Sequence, residues 1–161
     1  MNSIIENFYQ AFDALDSEGM VKCYHSEVKF EDPAFGMLTG EKAKNMWRML
    51  CSSQKGKNFK VEVSGIEYNE VTEVGRAHWE AHYLFSKTGR KVHNIIDAEF
   101  KIKDGKIIEH IDRFDLYSWS KQALGLSGYL IGWSGYFKNK LNAQTNALLS
   151  KFERTVMSHE P

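Results

Sequence analysis

Cysteine, proline and surplus charge are all scarce in this chain of 161 residues. Its 21 basic and 21 acidic residues cancel. No lysine or arginine block stands out, so the footprint of a phosphate-tracking nucleic-acid binder is missing. Cys23 and Cys51 form no CxxC pair and have no metal spacing, and two thiols fit a reducing cytoplasm. The opening MNSIIENFYQ has no basic region followed by an apolar run, so no secretion signal is expected. The longest apolar-leaning stretch, ALGLSGYLIGW, is too short and too glycine-rich to span a bilayer. The expectation is a soluble cytoplasmic protein, with neither nucleic acid nor membrane as partner.

Aromatic side chains are plentiful: ten Phe, seven Tyr and four Trp. They build either a bulky core or the walls of a small-molecule cavity, and composition does not choose between the two. One domain is expected at this length. Ile4, Phe8, Phe12 and Leu15 recur at helical spacing, predicting a first helix over 3–15. A short helix over 18–24 follows, then the strand VKFED. Thr39 reads as the N-cap of a third helix carrying Ala43, Met46, Trp47 and Leu50. From Phe59 the period changes to two, with strands over 59–69, 73–86, 91–103 and 106–117 separated by turn-like breaks. A last helix over 134–156 carries Leu141, Leu148, Leu149 and Phe152. Three helices, an antiparallel meander and a helical tail make an α+β plan.

The stretch VKFEDPAFG, residues 28–36, poses the chemical question. Val28 and Phe30 alternate with polar neighbours, and Asp32 falls on their side of the strand before Pro33 closes it. A carboxylate facing a core is costly unless something repays it. Capping the Asp-Pro turn is one repayment; acting as an acid or base is the other.

The meander supplies further candidates. A two-residue hairpin at the TG of SKTGRK pairs Tyr83 with Asn94, Ala81 with Ile96 and Trp79 with Ala98. The opposite face then holds His78, Glu80, His82, His93, Asp97 and Glu99. His78 and His82 lie about 13 Å apart along the strand, too far to share an ion at about 2 Å. That face is therefore read as solvated or partner-facing, with no metal. The KDGK turn admits two registers. A two-residue loop turns Glu109 and Arg113 inward; a three-residue loop ending in a left-handed Gly105 turns Ile108, His110, Asp112 and Phe114 inward. The second is preferred because it buries no long Glu or Arg. It sets Ala98 opposite His110 and Ile96 opposite Asp112, and leaves Ile95, Ile107 and Ile111 outside as an apolar face suited to a homodimer.

These strings resemble the nuclear-transport-factor-2-like superfamily, in its SnoaL-like and ketosteroid-isomerase-like branches. AFDALDSEGMVKCYHSEVKFEDPAFG followed by LTGEKAKNMWRML resembles the opening of the isomerases. KDGKIIEHIDRFDLYSWSKQALG resembles the last strand and tail of SnoaL-like proteins. The resemblance covers about residues 3–125 and implies a curved, cone-shaped antiparallel sheet closed by the three N-terminal helices, with a pocket on its concave side. Residues 1–125 are then the cone domain. Residues 126–161 are a C-terminal helical extension packed on the same domain, covering an edge or a partner.

Asp32 falls where the isomerases carry their carboxylate base. The position of their first-helix oxyanion tyrosine is Phe8, and that of their protonated second Asp is Ala98 once the shorter turn is allowed for, so steroid isomerisation itself is not implied. Dehydratases of the superfamily use an Asp, His and Tyr pocket, a role open here to Tyr24, Tyr83 and His110. The expected catalytic set is Asp32, His110 and Asp112. Tyr24, Phe35, Trp47, Trp79, Tyr83, Asn94 and Phe114 are the expected pocket walls, around a small hydrophobic molecule. Trp119 and Gln122 pin the tail. The reading is a cofactor-independent isomerase, cyclase or dehydratase acting on a cyclic carbonyl compound. Its alternative is a module of the same fold that binds a hydrophobic ligand or a protein without turnover. Epoxide opening is disfavoured, because Arg113 points outward and no inward Asp-Arg-Asp set remains.

Overall fold

The computed structural model, which describes residues 3–159, has six helices and six strands: the four helices and five strands expected from the sequence come in the expected order, and a short strand and two helices are added to them. Residues 1–2 and 160–161, the outer ends of the two expected segments, lie outside the described residues. Helix α1 (Ile4–Asp13) starts at a capping box. The Ser3 hydroxyl accepts from the Glu6 N–H, and the Glu6 carboxylate accepts from the Ser3 N–H. Ile5, Phe8, Tyr9 and Phe12 share its buried face. Helix α2 (Ser17–Cys23) runs straight into β1 (Tyr24–Asp32), and a tight turn leads to the short β2 (Gly36–Thr39). Helix α3 (Glu41–Gln54) is not capped by Thr39. That residue stays in β2, and Gly40, at φ 54°, makes the corner that a side chain would resist.

Strands β3 (Lys60–Asn69), β4 (Val74–Leu84), β5 (Lys91–Lys103) and β6 (Lys106–Arg113) form the meander, and the sheet order is β2-β1-β6-β5-β4-β3. The anticipated antiparallel sheet carries one parallel pair. The meander returns β6 to the side of β1 running in the same direction. β6 ends sooner than expected, because Asp115 caps α4 (Leu116–Leu124) by accepting from the N–H groups of Tyr117 and Ser118. Helices α5 (Leu126–Ile131) and α6 (Gly135–Met157) complete the chain.

Both hairpins depart from the expected registers while keeping their faces. The Phe85 N–H donates to the Arg90 carbonyl at 2.8 Å, so four residues turn the β4–β5 corner instead of two. Tyr83 therefore pairs with Val92, Ala81 with Asn94 and Trp79 with Ile96. A slip of two preserves which side chains point inward. At KDGK the loop is the two-residue one: Asp104 and Gly105 both take positive φ, and Lys103 pairs with Lys106. A bulge at Ile108 then adds one residue to β6, so Ile102 faces Ile107 while Lys101 faces Glu109. The bulge restores the inward direction of His110 and Asp112, now opposite Phe100 and Ala98. It also corrects the expected outer patch, because Ile107 is fully buried in the core and Ile108 only half-buried.

The core fills the space between the sheet and α1–α3, and Leu149 of α6 joins it with no exposed surface. A second cluster unites Val92, Trp119, Ala123, Phe137 and Leu141. Trp119 and Gln122 do pin the tail. The indole N–H of Trp119 donates to the Tyr83 hydroxyl at 2.8 Å, and the side-chain Oε1 of Gln122 accepts from the His93 backbone N–H at 2.7 Å. If α6 is part of the folding unit, Leu149→Ala lowers the free energy of unfolding by about 2–4 kcal/mol. The exposed neighbour change Leu148→Ala stays within about 0.5 kcal/mol. Urea denaturation of both variants measures the contrast.

Candidate functional site

Asp32 ends β1 at the turn into β2. Its Oδ1 accepts from the N–H groups of Ala34 at 3.0 Å and Phe35 at 2.6 Å. The carboxylate thus caps the Asp-Pro turn, yet only one oxygen is occupied; Oδ2 has no protein partner among the described residues. Burial pushes this carboxyl up to about 7. The Phe35 N–H pulls it back, the negative charge of Asp112 adds to the rise, and the Ala34 N–H opposes it.

Helix α6 holds the same turn from outside. The Asn142 amide donates to the carbonyls of Pro33 and Ala34, the Thr145 hydroxyl to Ala34, and the Asn146 amide to Phe35. Three consecutive carbonyls behind Asp32 are thereby fixed. These residues carry no signal in the sequence, since scattered amides on a helix face look like an ordinary solvated surface.

Across the interior, His110 sits in an uninterrupted chain of hydrogen bonds. The Trp47 indole N–H donates to the Tyr24 hydroxyl at 2.7 Å, which meets His110 Nδ1 at 2.8 Å. His110 Nε2 meets Asp112 Oδ1 at 2.9 Å, and the Trp79 indole N–H donates to the same oxygen at 3.2 Å. Every proton is used once if His110 is neutral with its proton on Nε2 and Tyr24 donates to Nδ1. Phe8, Phe30, Trp47 and Phe100 surround the imidazole with ring centroids 4.4–6.0 Å away. His110 has no exposed surface, so it acts on anything outside the chain through its partners; of these, Asp112 is 4% exposed and its Oδ2 has no protein partner among the described residues.

Of the expected wall residues, Tyr24, Phe35, Trp47 and Trp79 are buried in the main core, whereas Tyr83, Asn94 and Phe114 are half-buried. Burial raises the Tyr83 phenol to about 12, and the Trp119 N–H moderates the rise. Tyr9 was not anticipated. It lies in α1 beside Phe8, is 1% exposed, and its hydroxyl has no partner among the described residues. Burial raises its phenol well above the ordinary range, and the charges of Asp112 and Tyr24 add to this. Its buried place follows from the spacing Ile5–Phe8–Tyr9–Phe12, the i, i+3, i+4, i+7 stripe of a helix face. A surface depression of about 370 Å³ lies elsewhere, lined by Arg90, Ser118, Lys121, Gln122 and Tyr129, and none of the carboxylates borders it.

The model of the SnoaL-like domain family matches residues 5–110. No curated protein matches the chain. Among solved structures, a provisionally assigned polyketide cyclase from Pseudomonas putida is 18% identical, with 74% of this chain and 95% of that one aligned at a TM-score of 0.60. An LEH-like epoxide hydrolase from M. tuberculosis is 19% identical, over 79% and 92%, at 0.61. An NTF2-like protein of unknown function from Burkholderia pseudomallei is 12% identical, over 75% and 95%, at 0.62. At such identities the likeness is one of fold.

Two measurements check the site. Tyr24→Phe strands the His110 Nδ1 and the Trp47 N–H and costs about 1–3 kcal/mol of stability. Tyr9→Phe removes a hydroxyl without a hydrogen-bond partner among the described residues and is neutral or stabilising by about 1 kcal/mol. Thermal unfolding at pH 7 separates the two. The second concerns pH. Native Asp32 keeps its proton up to about pH 7, whereas the ordinary value is 3.8. The native state thus binds the extra proton between those values, and stability from this group is full below about pH 4, falls as pH rises to about 7, and is level above. In Asp32→Asn that decline is absent, and above pH 7 the variant is the more stable by on the order of 2 kcal/mol, part of the effect being screened by solvent.

Proposed function

The chain belongs to the SnoaL-like domain family, and on that footing we propose that it is a small-molecule enzyme working by acid–base chemistry without metal or organic cofactor. The observation that carries this reading is Asp32: a carboxyl raised to about 7, anchored by one oxygen and unpartnered at the other. A base titrating near the working pH gives the best compromise between being ionised and being basic.

In the proposed reaction, Asp32 takes a proton from the carbon beside a carbonyl, and the C–H electron pair moves into the enolate. The Tyr9 O–H donates to the developing oxyanion. Asp112, whose Oδ1 meets His110 Nε2 and accepts from the Trp79 indole N–H, is assigned to the substrate's other side, with His110 as a positioning residue behind it. From the enolate, return of the proton at another carbon is an isomerisation, attack on a second carbonyl a cyclisation, and loss of a β-hydroxyl a dehydration. The aromatic surroundings favour a hydrophobic cyclic substrate. The similarity to a provisionally assigned polyketide cyclase favours the carbonyl reading. Epoxide opening is less well supported: Arg113 pairs with Glu99 at 3.0 Å, and both side chains are exposed. One observation favours the second reading, a non-catalytic holder of a hydrophobic ligand, namely that the chain from Trp47 to Trp79 is already satisfied within the protein.

Deuterium uptake next to the carbonyl, followed by NMR on a panel of cyclic and aromatic-fused ketones, tests the proposal. Uptake is expected to rise with pH up to about 7 and level off. It should drop about 100-fold or more in Asp32→Asn and at least about 100-fold in Tyr9→Phe. Ketones that bind without exchanging in the intact protein would move the assignment to the binding module.

A further inference from the structure

The outer face of the sheet carries a cluster that the interior chemistry does not use. His82 of β4 and His93 of β5 are directly opposite one another, with ring centroids 4.2 Å apart and planes within 17° of parallel. Glu80, two residues before His82 and on the same face, places Oε2 2.5 Å from His93 Nε2. One donor atom from each of Glu80, His82 and His93 lies within 4.8 Å of the other two. On the other side, Glu62 of β3 faces Glu80 across the ladder, and its Oε2 is 3.5 Å from His82 Nε2.

The separation that matters is across the strands, not along them. His78 and His82 are too far apart to share an ion; His78 lies with its Nδ1 2.9 Å from Asp97 and its Nε2 3.4 Å from Oε1 of Glu80, the oxygen that does not meet His93. The two-residue slip of the β4–β5 register is what brings His93 opposite His82. Facing Cβ atoms of an antiparallel pair are about 4.5–5.5 Å apart, so two imidazoles on them converge with little backbone cost. Bonds of about 2.0–2.2 Å in a tetrahedron put donors roughly 3.3–3.6 Å from one another. The present spacing closes to that by rotation of three partly exposed side chains, 32–45% open to solvent.

We propose that Glu80, His82 and His93 form a binding site for one divalent transition-metal ion of the zinc class, with Glu62 placed to supply a fourth donor. Two imidazoles and one or two carboxylates suit Zn²⁺, Ni²⁺ or Cu²⁺ and do not suit Ca²⁺ or Mg²⁺, which take oxygen ligands. The ion joins β4 to β5, and through Glu62 to β3. It lies on the opposite face of the sheet from Asp32, so the acid–base proposal neither needs it nor depends on it.

Calorimetric titration of the chelator-treated protein with Zn²⁺ tests this. The expected result is one ion per chain, bound more than about tenfold more weakly by His82→Ala and by His93→Ala, with His25→Ala, a partly exposed histidine elsewhere, unchanged. Substitution with Co²⁺ should give the visible absorption of a tetrahedral or five-coordinate site in the intact protein and lose it in both variants. All three substitutions are at the surface, and melting in the presence of chelator checks that each variant folds. Equal affinity in the intact protein and the double variant His82→Ala/His93→Ala, no measurable binding, or one ion per two chains would each overturn the site as proposed.

Discussion

Two carboxyl groups lie on the inner side of this protein, Asp112 buried and Asp32 half-buried, and neither is paired with a lysine or arginine among the described residues. That is the constraint around which the rest is arranged. Asp112 has two side-chain partners on one oxygen, the imidazole Nε2 of His110 and the indole N–H of Trp79. Asp32 has only two backbone N–H groups on one oxygen, and it faces the charge of Asp112 as well. When two like charges compete in one low-dielectric space, the less well solvated one keeps its proton. The asymmetry leaves Asp32 as the carboxyl whose proton exchange is raised toward neutral pH.

The backbone serves this arrangement at three points. The bulge at Ile108 turns His110 and Asp112 inward after a hairpin whose own geometry would have turned them out. Helix α6 bonds the carbonyls of Pro33, Ala34 and Phe35, so the turn that presents Asp32 is fixed from both sides. Tyr24 and Trp47, on β1 and α3, lock the imidazole from behind, which ties the meander to the helical layer by hydrogen bonds as well as by packing.

Much of this was legible in the sequence because it rests on periodicity. The helical stripe of α1, the change of period after Phe59 and the same-side placement of Asp32 with Val28 and Phe30 all follow from alternation. What was not legible depends on single-residue backbone choices. Nothing local distinguishes a three-residue KDGK loop from a two-residue loop followed by a bulge, and the two give the same parity for His110 by different routes. The four-residue corner at SKTGRK shifted the register by two, invisibly to any argument about faces, yet it decides which histidines meet on the outside. Tyr9 belongs to the helical stripe of α1, but a stripe marks only burial and does not show that the hydroxyl it buries goes unpaired. The asparagines and threonine of α6 act on carbonyls more than a hundred residues away, and no local pattern announces that.

The central claim is that the interior holds Asp32 as a proton-exchanging carboxyl near neutral pH. Its most direct test is the titration of the Asp32 side-chain carboxyl by carbon NMR, assigned by comparison with Asp32→Asn. The account predicts a midpoint of about 7 and a downward shift in Asp112→Asn, where the opposing charge is gone. A midpoint near the ordinary value of 3.8, unmoved by that substitution, would leave Asp32 as the cap of its turn and nothing more.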